Sequence, residues 1–568
     1  MSIALRRSEV AERDSTRHLT IPELRRARQI IATEGQLGSF VPEGGFSNEL
    51  EALNAIGATL GLTVVDLSKE TPEESFLNDF PVRLIHRYNI FPIRRTEDSI
   101  TLAVSNPFDV QAADAVAEAT GVFVEIVLAL PHEVGAMIKS HLGVGAQTLD
   151  GLIAQTEESS DIEVIGDLEF DESEASTMAQ EASVVRLVND ILVEAVAARA
   201  SDIHMEVQAT GLKIRNRIDG VLQTQPVPPE LNRFQAAIIS RLKIMAHLNI
   251  AEKRVPQDGR IKIRVSGREV DIRVSIIPML HGESVVMRVL DKDAMSFSLS
   301  GIGMEDDVNQ QFQKLIRMPH GIVLVTGPTG SGKTTTLYSS LAEIKSERNK
   351  IITTEDPIEY QLEGINQIQV NHKVGLTFAA SLRSILRHDP DVVLVGEIRD
   401  FETAENAVQA SLTGHMVFST LHTNDAAGAF MRLVDMGVEP FLVASTVEGI
   451  MAQRLVRTLC KECRQPWVPA TTDLPDDFPV DEIGKTPIYQ PQGCRQCRGT
   501  GYSGRLGIYE LLETNDEIRS LANDRTGTDS IRKAAMAAGM KTLRQDGWRK
   551  VLKGRTSIDE VLRVTKAD

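Results

Sequence analysis

A glycine-rich stretch, GPTGSGKT at residues 327–334, holds the first residues whose types and spacing specify a chemistry. It fits G-x-x-x-x-G-K-[ST] through Gly327, Gly332, Lys333 and Thr334. The glycines let the main chain wrap around phosphates with its N–H groups turned inward, Lys333 brings a cation to the β- and γ-phosphates, and the Thr334 hydroxyl can ligate Mg2+. Pro328, Thr329, Gly330 and Ser331 form the body of the loop and Thr335 follows it. The flanks suit the motif: IVLVT before it reads as a buried strand, and TTTLYSSLAEIKS after it reads as a helix. A nucleoside triphosphate is therefore expected here, with the use of its energy left open.

Further groups fall in the same region. The apolar run DVVLVGE ends in Glu397, where P-loop enzymes present a carboxylate toward Mg2+ or its water, whereas Asp391 lies at the wrong end of that run. IITTEDPIEY ends a strand in Glu355, Asp356 and Glu359, which can polarise an attacking water or can simply cap a turn around Pro357. TGHMVFSTLHTND flanks a strand with His415 and His422, either of which can sense the γ-phosphate or merely pack. Arg383 and Arg387 share a helix face at i, i+4, open to solvent or to a subunit contact. The chain's four cysteines, in CKEC and CRQC, form two C-x2-C hooks 30 residues apart. Cys460, Cys463, Cys494 and Cys497 can surround one Zn2+ with four thiolates, and a closed set of that kind is structural.

The elements that must position these groups come next. At 568 residues the chain is long enough for three or four domains. A net charge of −18 and few aromatics oppose general nucleic-acid binding. The longest apolar runs are strand-sized, and the start lacks a signal-peptide core, so a cytosolic chain is expected. Residues 1–142 alternate strand and helix: strand 99–104, helix 110–120, strand 122–129, helix 131–142. Residues 143–182 read as a solvated acidic linker, with no Lys or Arg between Asp150 and Glu181. Residues 183–300 open on a helical pattern and continue as hairpins, with Asp219-Gly220 and Ser266-Gly267 at the turns. Their strands carry Arg215, Arg217, Arg260, Arg264, Arg268 and Arg273, either solvated faces or groups that reach a neighbour's phosphates. Residues 301–568 hold the chemistry.

The ordered set GPTGSGKTTTLYS, TTEDPIEY, SILRHDPDVVLVGEIRD and TGHMVFSTLHTNDA resembles the ATPases of type II secretion and type IV pilus assembly, over residues 183–568. That resemblance implies a multidomain α/β fold: a RecA-like P-loop core, a PAS-like domain before it at 183–300, a small N-terminal domain, a four-cysteine zinc arm at 456–508 and a helical part at 509–568. It implies that Glu359 is the catalytic acid, that Glu397 closes the Walker B strand and helps hold Mg2+ with Thr334, and that His415 and His422 belong to the site. It also implies that arginines of the preceding domain reach the nucleotide; RNRIDG and QDGR match, giving Arg217 and Arg260. The zinc insertion is similar to that of the export and extension members, and retraction members lack it. FPVRLIHRYNIFPIRRTEDSITLAVSNPFD resembles the N-terminal domain that docks on a membrane-anchored partner. No copy of the Arg-Leu-Gly repeats that hold cyclic di-GMP in some relatives is read in residues 1–60.

The expectation is a cytoplasmic ATPase peripheral to the inner membrane, using ATP, Mg2+ and Zn2+. It would work as a homo-hexamer on a membrane platform protein and a membrane-anchored cytoplasmic adaptor, without nucleic acid and touching the membrane only through partners. Type II secretion is the first reading and type IV pilus extension the alternative. A non-hydrolysing nucleotide-binding scaffold and a nucleic-acid translocase are the readings from other classes.

Overall fold

The computed structural model describes residues 17–34, 37–67, 70, 72, 80–96, 98–142, 162–164, 182–227, 229–265, 267–291, 297–480, 487–494 and 496–566. The chain divides into two compact units, Met1–Asp291 and Lys292–Asp568.

Two separate cores lie within the first unit. The earlier one surrounds a three-stranded sheet, Ile90–Arg95, Ser99–Val104 and Phe123–Leu128, in that order. The last two strands pair in parallel, which requires a crossover, and the helix Val110–Thr120 supplies it. Asp109 caps that helix by accepting from Gln111 N–H, and Gly121 ends it in the left-handed region at φ 71°. The strands and helices read from 99–142 are all present, with Pro131–Leu142 closing the set.

The later core is built on seven antiparallel strands in the order Ile162–Val164, Gln257–Val265, Arg268–Met279, Gly282–Asp291, Ala200–Gln208, Gly211–Ile218, Val221–Gln225. Apolar residues alternate along these strands and face the helices Ala182–Ala197 and Gln235–Met245, so the other face carries the charged side chains. At the Asp219-Gly220 turn both residues have positive φ, 49° and 85°, as a two-residue hairpin of this hand needs. Most of the 143–182 linker reading lies outside the described residues. Ile162–Val164 differs from a solvated spacer: it pairs antiparallel with Ile263–Val265 and adds a strand to an otherwise open edge.

In the second unit, helices cover both faces of a seven-stranded sheet. Its order is Asn366–Gln369, Ile351–Glu355, Val392–Val395, Met416–Leu421, Gly321–Thr326, Val447–Leu459, Tyr502–Glu513. The first six run parallel and the last is antiparallel. Burial on both faces explains why the central strands are continuously apolar rather than alternating.

The last two strands form a long hairpin, and the cysteine arm leaves its tip. The arm is seated on the C-terminal helices Leu543–Leu552 and Ile558–Val564: Phe478 and Ile488 share a core with Trp548, Val551, Ile558 and Val561. Asp477 of the arm accepts from Arg544 at 2.6 and 2.8 Å and from Trp548 Nε1 at 3.0 Å. Beneath this, Lys550 and Asp546 are fully buried and paired, Glu305 lies 3.8 Å from Lys550 and also pairs with Lys553, and Asp546 accepts from Tyr509 N–H at 2.9 Å. Removing one partner of a buried ion cluster strands the others. Lys550→Met is therefore expected to destabilise the second unit by about 3–5 kcal/mol. Denaturant unfolding followed by the fluorescence of Trp467 and Trp548 measures it, and adding Asp546→Leu is expected to recover most of the loss.

Candidate active site and metal centre

The parallel registers place four motif ends at one level. Thr326 is opposite Leu421, Ser419 opposite Val395, and Val395 opposite Thr354. The chains leave the sheet just past those pairs, so Gly327, His422, Gly396 and Asp356 begin the loops on its carboxyl edge. Ligands in open α/β sheets gather at that edge.

The P-loop turns out of Gly321–Thr326 and into the helix Lys333–Ile344. Gly327, Gly330 and Gly332 take φ of 150°, 79° and 91°, and a Cβ on Gly327 would sit 2.6 Å from Gln453 O. Lys333 Nζ donates to Gly327 O at 2.7 Å and Pro328 O at 3.1 Å, so the ammonium folds back onto the start of the loop. Burial pulls its pKa down, with the charge of Glu397 opposing the effect. Pro328, Thr329, Gly330 and Thr334 are exposed, and Ser331 is buried.

Glu397, just past Val392–Val395, bonds Arg399 Nη2 at 2.6 Å and His422 Nε2 at 3.2 Å. The structure therefore brings Glu397 and His422 together. His415 is not with them. It precedes Met416–Leu421 at the amino end, where its Nδ1 lies 2.9 Å from Ala410 O and 3.1 Å from Thr413 Oγ1, and its carbonyl accepts from Gly321 N–H. A strand of six residues, about 20 Å, separates it from the P-loop edge of the same sheet. The two histidines flank one strand, and a strand has two ends.

The three acids after Thr354 also divide. Glu355 is buried, and its carboxylate accepts from Tyr338 Oη, from Thr353 Oγ1 at 2.6 Å and from Gln367 Nε2 at 3.1 Å. Burial first, then the charge of Glu355 and its hydrogen bond, push the Tyr338 phenol well above its ordinary range. Asp356 is exposed, with His372 Nε2 at 3.4 Å. Glu359 is half-buried just beyond, in a turn held by Gln367 Nε2 donating to Tyr360 O at 3.0 Å and by Phe297 set edge-on to Tyr338 and Tyr360. A saturated Glu355 fits a positioning role and leaves Glu359 as the half-buried acid of the turn.

In the first unit the registers reveal something the sequence reading did not assemble. Arg260 is opposite Arg273, Arg273 opposite Arg288, Arg288 opposite Asp202, and Asp202 opposite Arg217. Four arginines and one aspartate thus form a straight row across five strands on the face away from the core. Asp202 is held by Arg288 Nε at 3.1 Å and lies 3.8 Å from Arg217, which also donates to Gly220 O at 3.0 Å. Like charges directly opposite on a sheet are unfavourable, so the row concentrates positive charge on one face, partly offset by Asp202. Arg288 was missed because its partners are distant in sequence. Arg217 and Arg260 stand at the two ends, four strand spacings or about 19 Å apart.

The four cysteine sulfurs all lie within 4.8 Å of one another, with Cys460–Cys494 at 3.8 Å, Cys463–Cys497 at 3.7 Å and Cys494–Cys497 at 3.7 Å. Zn–S bonds of about 2.3 Å in a tetrahedron put sulfurs about 3.8 Å apart, so the donor set fits the metal. Burial pushes the Cys463 thiol up to about 12; at Cys497 the N–H groups of Cys494 and Gly501 overcome burial and hold the thiol down to about 7. Metal analysis of purified protein is expected to give one zinc per chain. Cys463→Ser or a strong chelator is expected to remove it and lower the melting temperature, because the arm is seated on the C-terminal helices.

Among the described residues no helix is long and apolar enough to cross a membrane. The family described as type II/IV secretion system protein matches residues 177–563, and the MshEN domain matches residues 60–148. The chain is 44% identical over 565 residues to type II secretion system protein E of Xanthomonas campestris pv. campestris, covering 97% of both chains. It is 39% identical over 554 residues to the type IV pilus assembly ATPase PilB of Myxococcus xanthus, again covering 97% of both. Among solved structures it is similar in fold to the Legionella pneumophila ATPase DotB, with 23% identity, a TM-score of 0.50, and coverage of 66% of this chain and 94% of that one.

Proposed function

Since the chain belongs to the type II/IV secretion system protein family, we propose that it is the cytoplasmic ATPase motor of a type II secretion system, hydrolysing ATP to drive assembly of a pseudopilus. The observation that carries this is the gathering of the P-loop, Glu397, His422 and the Glu359 turn on one sheet edge. Extension of a type IV pilus is the second reading, favoured by the full-length similarity to PilB.

In this reading the loop N–H groups and Lys333 grip the phosphates, with Lys333 exchanging its carbonyl partners for phosphate oxygens. Thr334, an exposed residue, and Glu397 offer the oxygen donors that Mg2+ takes. When bound, that ion neutralises charge on the phosphates. Glu359 orients a water and accepts its proton as the water oxygen bonds to the γ-phosphorus. The bond to the β–γ bridging oxygen breaks, and ADP and phosphate leave. His422, fixed by Glu397, faces the departing phosphoryl group; His415 takes no part and packs against the helix before it. Arginines of the preceding domain, Arg217 and Arg260 by the resemblance, would stabilise the developing charge. Turnover would drive movement in a hexamer acting on a membrane platform protein, with the N-terminal domain held by a membrane-anchored adaptor. The cysteine set holds a structural zinc.

Lys333→Ala and Glu359→Gln are each expected to lower phosphate release at least about 100-fold in a folded protein. His422→Ala is expected to follow them while His415→Ala stays within about threefold of the parent. Undiminished release from both of the first two variants would remove the motor reading.

A further inference from the structure

Arg454 lies in none of the motifs above. It belongs to Val447–Leu459, which pairs with the P-loop strand through Thr326 and Ala452, so Gln453 and Arg454 stand beside the start of the loop. Its half-buried guanidinium rests on that loop: a Cβ on Gly327 would meet Arg454 Nη1 at 3.1 Å. Nη1 donates to Gln453 O at 3.0 Å, and Nη2 to Asn424 O at 2.8 Å and toward Asn424 Oδ1 at 3.4 Å. Among the described residues these are its partners, and none is a carboxylate. The acids that act on it from further away, Glu510 and Asp425, are engaged elsewhere: Glu510 accepts from Ala426 N–H and Leu543 N–H, and Asp425 pairs with Arg532. The charge of Arg454 in turn disfavours the Lys333 ammonium. Two part-buried cations therefore flank one glycine turn, an arrangement that is repulsive until an anion lies between them. A guanidinium has five N–H groups, and the carbonyl bonds fix its plane while leaving Nε–H and one Nη1–H uncommitted.

We propose that Arg454 is a second phosphate-binding cation of the nucleotide site, reaching the α- and β-phosphates of a nucleoside di- or triphosphate from the side of the P-loop away from Glu397. The sheet order supplies the direction. Val447–Leu459 lies on one side of the P-loop strand, and the strands leading to His422, Glu397 and Glu359 lie on the other. The γ-phosphate belongs with the acids, so the chain of phosphates runs past Lys333 toward Arg454. This rests on the nucleotide-site reading above.

Binding of a fluorescent ADP to the full chain, with ADP, ATP and adenosine as competitors, tests it. Arg454→Gln is expected to weaken ADP and ATP alike by about tenfold or more, to leave adenosine unchanged and to flatten the salt dependence. Arg454→Lys is expected to recover part of the loss. Equal affinity for ADP in Arg454→Gln, or an equal loss for ADP and adenosine, overturns the proposal, the second outcome marking a mere brace. In the unmutated protein, phenylglyoxal labelling mapped by mass spectrometry reads the same contact without relying on a variant's folding. ADP is expected to protect Arg454 and adenosine is not, and absence of protection by ADP overturns the proposal. Parent protein that binds no ADP at all would remove the nucleotide site and this inference with it, whereas parent binding with an unaffected Arg454→Gln removes this inference alone.

Discussion

Six neighbouring strands of the second unit run in one direction, so the loops leaving their carboxyl ends are forced onto one edge. A parallel pair cannot be joined by a short turn, and each return crosses a face of the sheet as a helix or a longer loop. The chain meets that requirement with apolar strands and helices on both faces. The consequence is chemical. A glycine loop, a carboxylate, a histidine and an acidic turn, spread over about a hundred residues, are level with one another because Thr326, Leu421, Val395 and Thr354 hold register. A slip of one residue in any pair would turn the side chains of a strand to the opposite face.

Around that edge, polar groups sort by how completely they are satisfied. Glu355 has three donors and is buried, which suits a group that must not move. Glu397 is tied to a histidine and an arginine, partners that a bound cation can replace. Lys333 occupies two loop carbonyls that are poor substitutes for phosphate oxygens. The fully satisfied group shapes the site, and the incompletely satisfied ones are poised to exchange partners.

Much of this was legible from residue order, for reasons that can be stated. The P-loop and the C-x2-C hooks are local: a few adjacent residues carry both geometry and chemistry. The Asp219-Gly220 hairpin and the strands at 99–104 and 122–129 follow from turn chemistry and alternation. What escaped depends on pairing between distant segments. The arginine row exists because Arg260, Arg273, Arg288 and Arg217 share a level on antiparallel strands, which no spacing in the sequence announces. The same is true of Arg454, which acquires its neighbours from a parallel strand more than a hundred residues earlier. His415 and His422 looked equivalent because a strand read from sequence has no fixed edge until its partners are known. The seating of the cysteine arm on the C-terminal helices rests on Asp477, Arg544 and Trp548, which no sequence spacing links.

The short strand Ile162–Val164 closes what would otherwise be the free edge of Gln257–Val265. Three residues suffice to cover Ile263–Val265, so a second chain seeking a strand to extend finds that stretch of backbone already taken.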